Sequence, residues 1–195
     1  HKQPHKQPHK QPQKILQAPA IVVSGTDLKV ELGGGLTPLG KPWLNVDILA
    51  VPGVDHVCDF EAPDLRLPFS DESVSEIYSS HTFEHIKNLK GLLREVVRIC
   101  QPGAFVEIRV PHWLSPMAMC HDHKQVIPPE QVDHWTKSAL AYWWADSPRR
   151  LDHVRTQMIP SGQFAEAKQL HPEWSDAQIM CFVPGASHEV RYFLT

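Results

Sequence analysis

The chain has 195 residues, of which 42% are hydrophobic and 21% are charged, values that suit one ordinary globular domain. Its formal net charge of -3, with histidines neutral, does not favour a nucleic acid or an anionic membrane as the partner. The four cysteines form no CxxC pair, and no apolar run is long enough to cross a bilayer. We therefore expect a cytoplasmic protein with reduced thiols.

The N-terminal segment repeats one tetrad, His-Lys-Gln-Pro, three times from His1. It has no apolar periodicity and cannot contribute to a core, although histidine at every fourth place can bind metal weakly. We exclude residues 1–13 from the fold as a tag-like or flexible tail, with a native repeat as the alternative. A single domain is expected over residues 14–195.

Short apolar runs that end at Gly, Pro or Asp predict the strands. In chain order they are Leu28–Leu32, Trp43–Ile48, Val54–Phe60, Val74–Ser80, Ala104–Val110, Val154–Ile159, Phe164–Leu170 and Glu189–Leu194. One continuous apolar face predicts a helix over Thr82–Cys100, and a second helix is expected over Glu130–Ala145. Strands that alternate with helical connections predict an α/β fold, a Rossmann-like three-layer sandwich with a mostly parallel sheet.

Three groups of polar or glycine residues follow the first three predicted strands. The turn Gly33-Gly34-Gly35 lets backbone approach a ligand closely, and its N–H groups suit a carboxylate. Asp47 can accept hydrogen bonds from both ribose hydroxyls of a nucleoside, and Asp59 with Phe60 can contact a base. Because open α/β sheets bind ligands at the carboxyl ends of their strands, the three groups together predict a nucleoside site.

Two other nucleotide-binding motifs fit the glycine turn less well. A dinucleotide fingerprint needs a third glycine where Pro38 stands and an acid about 20 residues on, whereas Asp47 follows Gly33 by 14 positions. This weakens a dinucleotide site without removing it. A P-loop is excluded because no Gly-Lys-Ser/Thr follows the glycines.

Several stretches between Lys29 and His112 resemble a small group of class I S-adenosylmethionine-dependent methyltransferases related to the type 11 family. The matching stretches are Glu31-Leu32-Gly33-Gly34-Gly35, Leu44-Asn45-Val46-Asp47-Ile48, Cys58-Asp59-Phe60, Leu67-Pro68-Phe69, His81-Thr82-Phe83-Glu84-His85-Ile86 and Arg94-Glu95-Val96-Val97-Arg98 leading to Gln101-Pro102-Gly103. The resemblance implies S-adenosylmethionine as cofactor, with Glu31 as the acid of the glycine motif. It also implies methionine near Gly33–Gly35, ribose at Asp47, adenine near Asp59 and Phe60, and the sulfonium near Ser80 and His81.

The chain departs from this family directly after the first strand. Only seven residues separate Gly35 from Trp43, and three of them are Pro38, Gly40 and Pro42. The usual helix does not fit there, so we expect a shortened first connection. One face of the sheet is then less covered, and a homo-oligomer or a partner subunit is expected to cover the gap.

Histidines supply the candidate catalytic residues. Methyl transfer to a hydroxyl benefits from a base, and His112, just after the fifth strand, is the first candidate, with His81 and His123 as alternatives. A metal hypothesis, in which His112, His121, Asp122 and His123 converge on one ion, is left open without assigning a metal.

The function predicted from these residues is methyl transfer to an oxygen or nitrogen of a small-molecule acceptor, such as a sugar or a specialised metabolite. Neither nucleic acid nor membrane is expected as a partner. The first alternative is a methyltransferase-like domain without activity that serves as a binding or partner subunit, suggested by the shortened connection. The second is a nucleotide-dependent oxidoreductase.

Overall fold

The computed structural model describes residues 27–136 and 149–195. The predicted tail over residues 1–13, the domain start near residue 14 and the last part of the predicted helix Glu130–Ala145 lie outside the described residues. No helix in the described part of the chain is long and apolar enough to span a membrane.

Seven strands, four helices and two short 3-10 turns make up the described fold. The strands are β1 (Leu28–Leu32), β2 (Trp43–Asp47), β3 (His56–Val57), β4 (Val74–Ser80), β5 (Cys100–Pro111), β6 (His153–Pro160) and β7 (Ser187–Leu194). The helices are α1 (Leu89–Ile99), α2 (Pro129–Thr136), α3 (Phe164–Leu170) and α4 (Asp176–Phe182), and the 3-10 turns are Phe83–His85 and Pro116–Met119.

The strands form one sheet in the order β3-β2-β1-β4-β5-β7-β6. Strands β1 to β5 are parallel, β7 is antiparallel to β5, and β6 is antiparallel to β7. The predicted α/β fold with a mostly parallel sheet is confirmed. The carboxyl ends of β1 to β6 therefore lie on one side of the sheet, called here the carboxyl edge.

The hydrophobic core lies between one face of the sheet and the helices α1 and α2. Alternate residues of the central strands are fully or almost fully buried on this face, among them Val30, Leu32, Ile77, Val106, Ile108, Val110, Val190 and Tyr192. Helix α1 contributes Leu92, Leu93 and Val96, which are spaced as one helical face, and α2 contributes Trp135. This packing holds the strands in place and thereby positions the residues at their carboxyl ends.

The opposite face of the sheet is half-exposed in the described structure. Lys29 and Glu76 form an ion pair of 2.6 Å with about a third of each side chain exposed, and Phe105 is 42% exposed. The expected short connection is confirmed, because residues 33–42 form turns and no helix. The next two connections, residues 48–55 and 58–73, contain no α-helix either.

The predicted helix Thr82–Cys100 is too long at both ends. Helix α1 begins at Leu89, because the residues directly before it, Lys87 and Asn88, are held by tertiary hydrogen bonds. The backbone N–H groups of Lys87 and Asn88 donate to the Glu61 carboxylate at 2.7 and 3.1 Å. Cys100, at the other end, already belongs to β5.

The predicted strand Phe164–Leu170 is wrong, since these residues form α3. A second short helix, α4, follows and begins with a capping box between Ser175 and Gln178. The two helices share a small cluster of buried residues, Ala167, Ile179 and Ala186, separate from the main core. The predicted third strand Val54–Phe60 shortens to His56–Val57, whereas Val154–Ile159 lies within β6 and Glu189–Leu194 within β7.

Candidate active site

The glycine turn leaves β1 at the carboxyl edge with two residues in the left-handed region. Gly33 has φ +78° and Gly35 has φ +58°, and the Gly33 N–H donates to the Val46 carbonyl at 2.8 Å. A β-carbon on Gly33 would collide with the Thr82 side chain, whereas one on Gly35 would meet nothing within 4 Å. Gly33 therefore serves close packing, and Gly35 borders open space at the turn.

The buried Glu31 carboxylate fixes the loop that follows β1 through two hydrogen bonds. It is 4% exposed, and its Oε2 accepts hydrogen bonds from the Leu39 backbone N–H at 2.6 Å and from the Asn45 side-chain amide at 2.8 Å. A β-carbon on Gly34 would collide with the same two groups, Asn45 and Glu31. Glu31 thus positions the loop after β1, in the place of the helix that this connection lacks. Asn45 was not among the predicted site residues.

The Asp47 carboxylate lies at the end of β2 and touches the glycine turn directly. The Gly35 N–H donates to its Oδ2 and the Leu49 N–H donates to its Oδ1, each at 2.8 Å. Asp47 is 6% exposed. Because an ionised carboxylate offers about four lone-pair positions, two backbone donors leave capacity for further hydroxyl donors.

Asp59 and Phe60 follow β3 but face different surroundings. Asp59 is half-buried, and its Oδ1 accepts the Glu61 backbone N–H at 2.9 Å. Phe60 is 5% exposed and belongs to the hydrophobic core. Asp59 therefore remains available near the carboxyl edge, whereas the burial of the Phe60 ring does not favour the predicted contact with a base.

Ser80 ends β4, and the next residue, His81, links two buried glutamates. His81 has φ +54°; its Nδ1 lies 3.2 Å from Glu84 and its Nε2 lies 3.3 Å from Glu189 of β7. These hydrogen bonds, to Glu189 first and Glu84 second, raise the pKa of His81 to about 9. His81 is consequently an imidazolium at neutral pH, which does not favour the role of a proton acceptor. Glu189 is 108 positions away in the chain, and no sequence signal indicated it.

His112, the first candidate base, is fully buried. The Leu114 N–H donates to its Nδ1 at 3.2 Å, its ring stacks on Trp113 at 3.8 Å, and its Nε2 has no partner. Burial lowers the pKa of His112 to about 4, so the ring is neutral. Since Nδ1 accepts a hydrogen bond, the ring proton lies on Nε2, and neither nitrogen is poised to take a proton. The surroundings of His112 favour a structural role, and its role as base stays a prediction.

His123 lies in the loop after the second 3-10 turn and packs against the residues that follow β4. Its ring meets that of His85 edge-on at 4.7 Å between centroids, and its Nδ1 is buried without a partner. The loop is pinned there because the Lys124 N–H donates to the Glu84 carbonyl at 2.7 Å. The structure thus brings His123 together with Glu84 and His85, and places His112 apart from them in the core.

Thr82 links the segment after β4 to the glycine turn after β1. Its hydroxyl lies 3.3 Å from the carbonyl oxygens of Leu32 and Gly33, so the segment after β4 is packed against the glycine turn. Thr82 stands in one of the matching stretches but was not predicted as a site residue.

Comparison with known proteins agrees with this geometry. Residues 47–108, from the end of β2 into β5, match the family described as "Methyltransferase domain". The matched segment contains Asp47, Asp59, Ser80 and His81, whereas the glycine turn lies before it.

Two solved structures share the fold at low sequence identity. An S-adenosylmethionine-dependent methyltransferase from Archaeoglobus fulgidus superposes with a TM-score of 0.55 at 12% identity, over 87% of this chain and 86% of that chain. The cyclase SpnF superposes with a TM-score of 0.51 at 10% identity, over 87% of this chain and 75% of that chain. By its strand order and these neighbours, the chain has the α/β fold of S-adenosylmethionine-dependent methyltransferases, and about a third of it matches the methyltransferase domain family.

Proposed function

We propose that the protein transfers a methyl group from S-adenosylmethionine to an oxygen or nitrogen of a small-molecule acceptor. One observation carries the proposal. The Gly35 N–H and the Asp47 carboxylate are joined by a 2.8 Å hydrogen bond at the carboxyl ends of adjacent strands, which sets an open glycine turn beside an acceptor of hydroxyl hydrogen bonds. Open α/β sheets bind ligands at this position.

The residues present fit the cofactor in three respects. The space beside Gly35 is open to a ligand, and a side chain there would fill it. Asp47 retains lone pairs for the ribose hydroxyls, and Asp59 lies at the end of the next strand along the edge. Ser80 and His81, at the end of β4, are the residues expected near the sulfonium, and they lie at the same carboxyl edge as Gly35 and Asp47.

The cofactor supplies the activated methyl group, and the chain's own residues supply alignment. Methyl transfer is an in-line displacement, so positioning the acceptor and excluding water are the main contributions of the protein. Because His81 is charged and His112 is neutral with both nitrogens engaged or protonated, we favour an acceptor that needs neither of these two histidines as a base, such as an amine or an acidic hydroxyl.

A small apolar acceptor is supported by exposed side chains at the carboxyl edge. Leu36, in the turn after β1, is 79% exposed, and Met117 and Met119, after β5, are 56% and 73% exposed. The segment before β7 is held alongside, because the Gly185 N–H donates to the Leu114 carbonyl. Exposed apolar residues at a ligand edge are typical of a surface that contacts an apolar molecule.

A domain that binds without transferring a methyl group is the second candidate. The absence of α-helices between β1 and β4 in the described structure, with one half-exposed sheet face, favours a protein that works with a homo-oligomeric copy or a partner subunit. The cyclase among the similar structures illustrates that this fold does not by itself fix the reaction.

Transfer of a labelled methyl group separates the two candidates. The full chain is incubated with methyl-labelled S-adenosylmethionine and fractionated small-molecule extracts, beside an Asp47→Ala variant and a variant of the exposed Asp64, Asp64→Ala. Label is expected in a small-molecule fraction with wild-type and Asp64→Ala protein and not with Asp47→Ala. If the wild-type protein binds the cofactor and labels nothing, the non-transferring domain is the better description.

A further inference from the structure

Three side chains with metal-binding atoms meet beside the candidate active site. Glu84 and His85 come from the 3-10 turn after β4, and His123 comes from the loop after β5. One ligand atom from each residue lies within 4.8 Å of the other two. We call these residues the Glu-His-His cluster.

Two buried atoms of the cluster lack any hydrogen-bond partner. They are Oε2 of Glu84, whose residue is 2% exposed, and Nδ1 of His123. An unpaired carboxylate oxygen in the interior is costly, and a metal cation can satisfy a carboxylate oxygen and an imidazole nitrogen together. One carboxylate oxygen and one imidazole nitrogen are therefore left for a cation at the centre of the cluster.

Surrounding groups already orient the three side chains. His81 Nδ1 contacts the other Glu84 oxygen at 3.2 Å, and His85 Nδ1 faces the Asp122 carbonyl at 3.4 Å. Metal-binding histidines usually donate their second ring N–H to a carbonyl or carboxylate in this way, and metal-binding carboxylates are themselves hydrogen-bonded. The loop that carries His123 is fixed by the Lys124 and Gln125 N–H groups, which both donate to the Glu84 carbonyl.

We propose that Glu84, His85 and His123 bind a divalent transition-metal ion, with zinc as the best match. Two imidazoles and one carboxylate are a known zinc ligand set, and three protein ligands leave a position for water or a ligand oxygen, as catalytic rather than structural sites do. Magnesium and calcium prefer oxygen ligands, which makes them poor matches. Ligand atoms about 2.0–2.2 Å from a tetrahedral zinc ion lie about 3.3–3.6 Å from one another. Side-chain shifts of roughly 1 Å would bring the three ligand atoms of the cluster to these separations.

This cluster differs from the ligand set considered from sequence. Of His112, His121, Asp122 and His123, only His123 belongs to it, because His112 is buried against Trp113. The Asp122 carboxylate contacts Nδ1 of His85 and is not part of the cluster, and His121 is exposed in the same loop. His121 is therefore a control residue for any metal effect.

The experiment measures zinc bound per chain by equilibrium dialysis. The full chain carries His1→Gln, His5→Gln and His9→Gln in every sample, so that the N-terminal repeat contributes no ligands. Glu84→Gln and His123→Ala are compared with His121→Ala in this background, and circular dichroism confirms that each variant is folded. Cobalt(II) serves as a second probe, because its visible absorption reports the geometry of its ligands.

We expect one zinc ion per chain in the parent and in His121→Ala. Affinity should fall at least 10-fold in Glu84→Gln and His123→Ala, since even the loss of outer-shell partners costs about 10–100-fold. Cobalt should give a tetrahedral spectrum in the parent and not in His123→Ala. The proposal is overturned if the folded parent binds no zinc, if His121→Ala and His123→Ala bind it alike, or if magnesium binds more tightly than zinc. None of these readouts depends on methyl transfer.

Discussion

Single residues at the carboxyl edge have roles that chain position alone only partly indicates. Asp47 was predicted because it ends a strand, and it does lie against the glycine turn. Glu31 was predicted as a cofactor residue, yet its buried carboxylate holds the loop through Leu39 and Asn45. Sequence spacing locates a strand end, but the direction of each side chain depends on contacts that form only in the folded chain.

Gly35→Ala tests whether the glycine turn borders the cofactor. The added methyl group meets no protein atom, so the fold should survive with a strain cost of roughly 1–2 kcal/mol from the left-handed backbone. Gly103→Ala is the matched control, because Gly103 also has a positive φ, +79°, and open space, but lies at the start of β5 away from the carboxyl edge.

Thermal unfolding and the dissociation constant for S-adenosylhomocysteine are measured for both glycine variants. We expect similar losses of stability, and a loss of affinity of about 10-fold or more in Gly35→Ala alone. Equal affinities in the two variants would remove Gly35 from the cofactor site.

The buried, neutral His112 should make the free energy of unfolding depend on pH. Its folded pKa, about 4, lies below the ordinary value of 6.5, so it contributes stability that is fully present above pH 6.5 and is lost as the pH falls toward 4. Between pH 7.5 and pH 5 this one group should cost about 2 kcal/mol. His112→Asn retains an acceptor for the Leu114 N–H and should lack that part of the slope.

Urea unfolding at several pH values checks the expectation, with the exposed His188 substituted by Asn as control. The wild type and His188→Asn should share one slope between pH 7.5 and pH 5, and His112→Asn should show a flatter one. Identical slopes in all three proteins would contradict the burial of a neutral His112.

At the scale of elements, the apolar patterns predicted the central strands and α1 because their burial is regular. The apolar pattern did not predict the secondary structure correctly where tertiary contacts determine the backbone conformation. Residues 82–88 carry apolar residues at helical spacing, but hydrogen bonds to Glu61 and to the glycine turn hold them out of the helix. Phe164–Leu170 was predicted as a strand, because a short apolar run does not distinguish a strand from a short helix.

Helix α1 holds the connection before β4 through a buried ion pair. Glu95 Oε2 accepts the Leu67 N–H at 2.7 Å and an Arg98 N–H at 2.6 Å, and Arg98 also donates to the Leu67 and Phe69 carbonyls. The side chains of Glu95 and Arg98 are only 10% and 12% exposed. The pair takes the place of a helix in fixing this connection.

Glu95→Ala is expected to lower the free energy of unfolding by about 1.5–3 kcal/mol, because it leaves the buried Leu67 N–H without its acceptor, whereas Arg98 keeps the Asp71 carboxylate at 2.8 Å. Glu76→Ala is the control, since Glu76 pairs with Lys29 on the half-exposed face and should cost less than about 1 kcal/mol. Urea unfolding measures both variants. Similar losses would show that the connection is held by other contacts.

At the scale of the whole molecule, the mostly parallel sheet, the short first connection and the common edge formed by the carboxyl ends of the strands followed from the sequence. One sheet face is half-exposed because three successive connections, residues 33–42, 48–55 and 58–73, lack an α-helix. The contact of His81 with Glu189, and the approach of His123 to Glu84 and His85, join residues from distant segments. A single sequence contains no local signal for such contacts.

The central claim is that the carboxyl edge binds S-adenosylmethionine, with Asp47 as a direct partner. Equilibrium dialysis of the full chain against methyl-labelled S-adenosylmethionine tests it most directly, with folded Asp47→Ala and Asp64→Ala variants alongside. We expect one saturable site in the wild type and in Asp64→Ala. Affinity in Asp47→Ala should fall about 10–100-fold, as the loss of hydrogen bonds worth about 1.5–3 kcal/mol implies. A folded wild-type protein that retains no label, or an Asp47→Ala variant that binds as the wild type does, would contradict the claim.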